Sequence, residues 1–183
     1  MADLLDSYPE TNQSATDDAY GNPPKGAGQA ITLSIGSSYI LDSMKWYLRK
    51  IGSPTGSGYA KIYSVTGTPG TNGVPNVLLA TSDAFDVSTL TTSFALITFT
   101  FSGANRITLT NGENIAMSFE YTGGNGSNLV NIGSDNTSPT HAGNEFYDSG
   151  SWNADNTYDE CFYLYGVSAA LVNQNFSLLG IGS

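Results

Sequence analysis

Basic side chains are scarce in this chain: six Lys and Arg stand against sixteen Asp and Glu, for a formal charge of −10. A surface so acidic repels phosphate backbones and anionic headgroups, which argues against nonspecific binding to nucleic acid or to an acidic membrane. Cysteine is nearly absent. Cys161 stands alone, so no disulfide can close within the chain, and a buried, inert thiol is expected there. His141 is also the single residue of its kind. It has no Cys or carboxylate partners at zinc spacing and reads as a turn residue, so no metal ligands are assigned. No apolar run approaches the roughly 20 residues of a membrane-spanning helix. The opening MADLLDSYPE lacks a basic segment followed by an apolar one, so no export leader is expected. No serine sits in a G-x-S-x-G turn and no Cys–His pair lies close in sequence, so catalytic residues are not expected and the chain is not read as an enzyme.

What the chain has instead is glycine, tyrosine and small polar residues, with 21 Gly, 11 Tyr and 39% apolar residues overall. That composition suits short strands joined by tight turns and is apolar enough to build a core. Period-two alternation is clear over Ile40–Ile51, where Met44, Trp46 and Leu48 interleave with Lys45, Tyr47 and Arg49. It recurs over Tyr59–Val65, and the Gly- and Pro-rich segment 52–58 between the two runs predicts a hairpin. Phe94–Phe101, Asn114–Tyr121 and Glu160–Tyr165 alternate in the same way, and Asn111-Gly112 is a tight-turn signal. About eight or nine strands at this spacing predict an antiparallel β-sandwich of the jelly-roll kind over residues 28–166. Residues 1–27, acidic and broken by Pro and Gly, read as an N-terminal arm. Residues 167–183 read as an apolar C-terminal tail.

Three groups of residues are candidates for binding. The first is the tail, where Val167, Leu171, Phe176, Leu178, Leu179 and Ile181 are too apolar for a solvated terminus and predict an assembly contact. The second is a basic patch of Lys45, Arg49 and Lys61 on the outer face of the predicted hairpin, a dock for the acidic arm. The third lies in the long irregular stretch 133–159. There Tyr147, Trp152 and Tyr158 among Asn and Asp could stack on and hydrogen-bond a sugar, although the same aromatics could serve to anchor the loop. The carboxylates of that stretch read first as turn formers, with a structural calcium site as the second reading. Asn153–Asp159 lacks the glycine and closing glutamate of an EF-hand loop, so no cofactor is assigned.

The stretches LDSMKWYLRKIGSPTGSGYAKIY (41–63), LATSDAFDVSTLTT (79–92), FTFSGANRITLTNGENI (99–115), SPTHAGN (138–144) and DECFYLYG (159–166) give the chain a family likeness. In this order it resembles the β-sandwich domains related to the choice-of-anchor R family, many of them from phage and environmental viral sequence. The resemblance implies a surface-exposed, non-catalytic module and supplies no catalytic motif. Taken with the two arms, it leads to the expectation of a phage virion component, either a capsid decoration protein or a fibre or filament subunit. The partners would then be other virion proteins or further copies of the chain as a homo-oligomer. The alternative expectation is a lectin-like module that attaches to a host glycan.

Overall fold

A computed structural model describes residues 1–21 and 25–170. Strands account for most of them: β1 (Asp3–Tyr8), β2 (Ala15–Ala19), β3 (Lys25–Thr32), β4 (Tyr39–Ile51), β5 (Ser57–Thr66), β6 (Val74–Thr81), β7 (Phe85–Asp86) and β8 (Ala95–Thr100). The second half adds β9 (Thr108–Leu109), β10 (Asn114–Tyr121), β11 (Leu129–Asp135), β12 (Asn144–Asp148), β13 (Trp152–Asp155), β14 (Asp159–Glu160) and β15 (Phe162–Ser168). Three 3-10 turns, at Glu10–Asn12, Val87–Thr89 and Gly103–Asn105, fill connections.

The strands form two antiparallel sheets, as the alternation predicts. One holds β1, β2, β4, β8, β9, β11, β14 and β15; the other runs β13-β12-β3-β10-β5-β6, with β7 on β5. The segment count exceeds the expected eight or nine because β1 and β2 lie in the expected arm, β12 and β13 lie in the stretch read as irregular, and β7, β9 and β14 are two-residue strands counted separately.

The inward residues are those the period-two pattern selects. Trp46, Leu48, Ile62, Phe99, Phe119 and Phe162 are all buried between the sheets. Phe119 lies 5.6 Å, centroid to centroid, from Phe99, and its ring leaves no space for a side chain at Gly58, where a Cβ would come within 2.7 Å of it. The strand β10 is buried on both faces. Ile115, Met117, Phe119 and Tyr121 point into the main core, while Ala116, Ser118 and Glu120 are covered from outside. The outer cover is a second, small apolar cluster in which Phe146 lies on Ala30 and Ala116, flanked by Tyr63 and Trp152. Glu120 survives burial there because Lys61 Nζ donates to one oxygen at 2.6 Å, and Tyr63 O–H and Ser118 Oγ donate to the other.

Two expectations fail in an instructive way. The runs on either side of residues 52–56 are not a hairpin: β4 belongs to the first sheet and β5 to the second. Turn chemistry reverses the chain without choosing a partner, and here the turn is a corner that carries the chain across the sandwich. Asn111-Gly112, with Gly112 at φ 81°, does the same between β9 and β10. The acidic segment 1–27 is not a free arm either. β1 pairs with β15 from Asp3↔Gly166 to Tyr8↔Phe162, β2 pairs with β11, and β3 begins at Lys25. Backbone pairing and the burial of Tyr8 and Ala19 outweigh the acidic composition. Of the predicted tail, Val167 is the penultimate residue of β15, while Leu171, Phe176, Leu178, Leu179 and Ile181 lie outside the described residues.

Truncating Phe119 to alanine removes a large ring at the centre of this core. The expected loss is about 3–5 kcal/mol of stability. Urea denaturation of the variant checks it, and a loss below about 1 kcal/mol would contradict the facing assignment.

Candidate functional site

The predicted basic patch does not exist as one surface. Lys45 and Arg49 are on β4 and Lys61 is on β5 in the opposite sheet, paired with Glu120. Lys45 Nζ sits over the Tyr165 ring at 5.3 Å, and Arg49 over Phe94 at 4.7 Å. Arg49 Nε also donates to Asn131 Oδ1, and Asn131 Nδ2 donates to Asp18. The acidic N-terminal segment thus meets Arg49 through an asparagine within its own subunit.

The three aromatic candidates also separate. Trp152 pairs with Asp148 across β12 and β13, so it faces opposite to the neighbouring Tyr147. Trp152 packs edge-on against Phe146 at 5.2 Å and Tyr63 at 6.3 Å, which makes it a cover for the outer cluster. Tyr147 is exposed, and Tyr158 accepts a hydrogen bond from Asn136 Nδ2 through its hydroxyl. The loop carboxylates behave as turn formers: Asp148 accepts from Gly150 N–H and Asp155 from Thr157 N–H. Cys161 is buried, and burial pushes its thiol pKa up, as expected for an inert residue. His141 holds its loop down, accepting from Gly143 N–H, facing Asp6 at 3.2 Å and meeting the Phe162 ring edge-on.

Two features were not visible in sequence. The first is an open cleft of about 440 Å³ between the end of β1, the segment 12–14 and the loop after β11. Tyr8, Asn12, Ser14, Asp135, Thr137, Ser138 and Thr140 line it. Asp135 is its fixed centre. Ser14 Oγ donates to one carboxylate oxygen at 2.6 Å, joined there by the backbone N–H groups of Thr137 and Ser138. Tyr8 O–H donates to the other at 2.7 Å. Burial disfavours the charged form of Asp135, but these donors outweigh it and hold its pKa down at about 2. Burial first, and then the same contact, push the Tyr8 phenol up to about 12. The hydroxyl-rich run Ser134–Thr140 was the available signal, but its other wall comes from the segment expected to be an arm.

The second feature is a carboxylate cluster between the sheets. Asp17 on β2, Glu145 on β12 and Glu160 on β14 each place one oxygen within 4.8 Å of the others. Glu145 and Glu160 are buried, and Asp17 is half-buried. Asp17 accepts from Ser134 Oγ at 2.8 Å, whereas both oxygens of Glu160 and Oε2 of Glu145 have no hydrogen-bond partner among the described residues. Gln29 braces the cluster by donating to Asp159 and accepting from Glu160 N–H. Two ionised carboxylates at such spacing repel by about 3–4 kcal/mol at an effective dielectric of about 20. Burial first, and the neighbouring carboxylates next, push the pKa values of Glu145 and Glu160 upward. Burial also raises that of Asp17. The three residues are far apart in sequence and sit in no recognisable ligand spacing.

No family model and no curated protein sequence matches the chain. Among solved structures, the chain is similar to the cysteine protease and lectin-like domains of Cwp84, a surface layer associated protein of Clostridium difficile. The TM-score is 0.49 with 15% identity, over 79% of this chain and 32% of that one. The chain therefore spans about a third of the length of that structure.

The fixed ionisation of Asp135 has a pH signature. A depressed carboxylate contributes stability above its unfolded pKa and loses it as pH falls through the folded one. Asp135→Asn is therefore expected to cost about 1–3 kcal/mol at neutral pH, because it leaves donors unpaired or weakly paired. The gap from wild type should narrow as pH falls from about 4 toward 2. Denaturant titrations of both proteins across that range provide the check.

Proposed function

We propose that the chain is a non-catalytic carbohydrate-binding module and that the cleft around Asp135 receives the sugar. The carrying observation is the chemistry of that wall. Hydroxyls of Ser14, Thr137, Ser138 and Thr140 and the amide of Asn12 surround a carboxylate whose oxygens are already engaged. Such a surface presents donors and acceptors at set positions, which suits a polyol. It does not suit glycoside hydrolysis, which needs one carboxyl able to give a proton and a second free to act across the scissile bond. Asp135, held down at about 2, stays ionised at neutral pH.

Glycan-array screening followed by calorimetry tests this reading. Hydroxyl-to-hydroxyl contacts exchange against water, so an affinity in roughly the micromolar to millimolar range is expected. Asn12→Ala, at an exposed position, should weaken binding by about tenfold and leave the melting temperature unchanged. Trp152→Ala should leave affinity intact. Failure of the wild type to bind any glycan would remove the proposal. Loss of binding in the Trp152 variant alone would move the site to the 144–158 hairpin.

A structural subunit of a particle such as a virion is the second reading, and one observation favours it. Among the described residues β6 ends its sheet, and Val77, Leu78 and Leu79 are consecutive exposed apolar residues along it. An unpaired edge of this kind is a template for adding a strand from another copy. Under this reading, the native mass corresponds to an oligomer and Leu78→Lys returns it to a monomer. A wild-type monomer at high concentration in analytical ultracentrifugation would end it.

A further inference from the structure

We propose that Asp17, Glu145 and Glu160 form a calcium site that clamps the two sheets together. The inference stands apart from the sugar-binding reading and uses different residues. It also differs from the calcium reading of the 153–159 loop. Asp155 there is engaged by Thr157, and Asp159 is held by Gln29 and His141 N–H.

The geometry comes first. The three carboxylates converge from both sheets: Asp17 and Glu160 flank β11 on one side of the sandwich, and Glu145 reaches in from β12 on the other. Their oxygens lie within 4.8 Å of one another, so a single cation at the usual 2.3–2.6 Å from its ligands can touch all three. The unmet valence comes second and is independent of the clustering. Glu160 is fully buried, yet neither of its oxygens has a hydrogen-bond partner among the described residues. Glu145, 2% exposed, carries a further oxygen with no hydrogen-bond partner among the described residues. A buried carboxylate requires a partner. The ion pairs formed by the chain's own cations among the described residues, Lys61–Glu120, Arg106–Asp42 and His141–Asp6, all lie elsewhere.

The donor set selects the ion. Oxygen alone, without sulfur or imidazole, points to a hard cation and away from zinc or copper. Magnesium prefers to keep several waters around a small octahedral centre, which a water-excluding interior opposes. Calcium accepts several carboxylates in irregular arrangements. The Ser134 hydroxyl on Asp17 and the Gln29 amide on the Glu160 backbone hold two of the ligands in place, as supporting contacts do around metal sites.

The test uses the full chain, stripped with chelator and passed into calcium-free buffer. Titration with calcium chloride in a calorimeter is expected to show one saturable site. Calcium at about 100 times the dissociation constant is expected to raise the melting temperature by about 5 °C or more relative to EDTA. Magnesium at the same concentration should give a much smaller shift. Glu160→Gln keeps the shape and removes a charge; it should weaken calcium binding at least about tenfold while leaving the metal-free protein no less stable. Glu145→Gln provides the same readout if the first variant does not fold. An unchanged melting temperature with no binding heat in the wild type would overturn the proposal and make the cluster a set of protonated carboxyls. So would calcium binding of wild-type strength in both variants, which would place the ion elsewhere.

Discussion

The apolar layer between the two sheets is the interaction on which the other features depend. Trp46, Phe99, Phe119 and Phe162 fill it with large rings, and water is excluded along most of its length. At one end the filling changes, and the space between sheets is occupied by Glu145, Glu160, Gln29 and part of Asp17 instead of hydrocarbon. Carboxylates in that position are costly only because the surrounding packing keeps solvent away. The core therefore both stabilises the sandwich and creates the electrostatic problem at its end.

The alternation of side chains was legible because it is a local property. Met44, Trp46 and Leu48 face inward on β4 for a reason contained in those few residues, and so do Ile115, Met117 and Phe119 on β10. What could not be read is which strand lies beside which. The turns at 52–56 and 110–113 have the composition of hairpin turns and act as corners between sheets. The first 27 residues have the composition of an arm and hold β1, β2 and the start of β3, because pairing with β15, β11 and β10 depends on chain distant in sequence. Both overlooked sites follow from that. The cleft needs Asn12 and Ser14 next to Thr137 and Ser138, and the carboxylate cluster needs Asp17 next to Glu145 and Glu160.

The two sites share supports. Ser134 hydrogen-bonds Asp17 of the cluster, and Asp135, the next residue on β11, organises the cleft. β14 lies along both, with Glu160 opposite Ser134 and Asp159 opposite Asp135. Because consecutive residues of a strand point to opposite faces, one short stretch of β11 serves the carboxylate cluster and the cleft at once. A change in position of β14 would be felt on both faces.

The pairing of β1 with β15 bears on how the chain reaches its native state. Asp3 lies opposite Gly166 and Tyr8 opposite Phe162, so β1 finds its partner only when nearly all of the described chain that follows it has been made. Until then the open edge of β15's eventual neighbours and the apolar face carrying Tyr8 have no native cover. Ring closure over such a separation carries a large entropic cost before any contact repays it, and topologies of this kind fold slowly. The net charge of −10 opposes association between copies of a chain whose ends have not yet met.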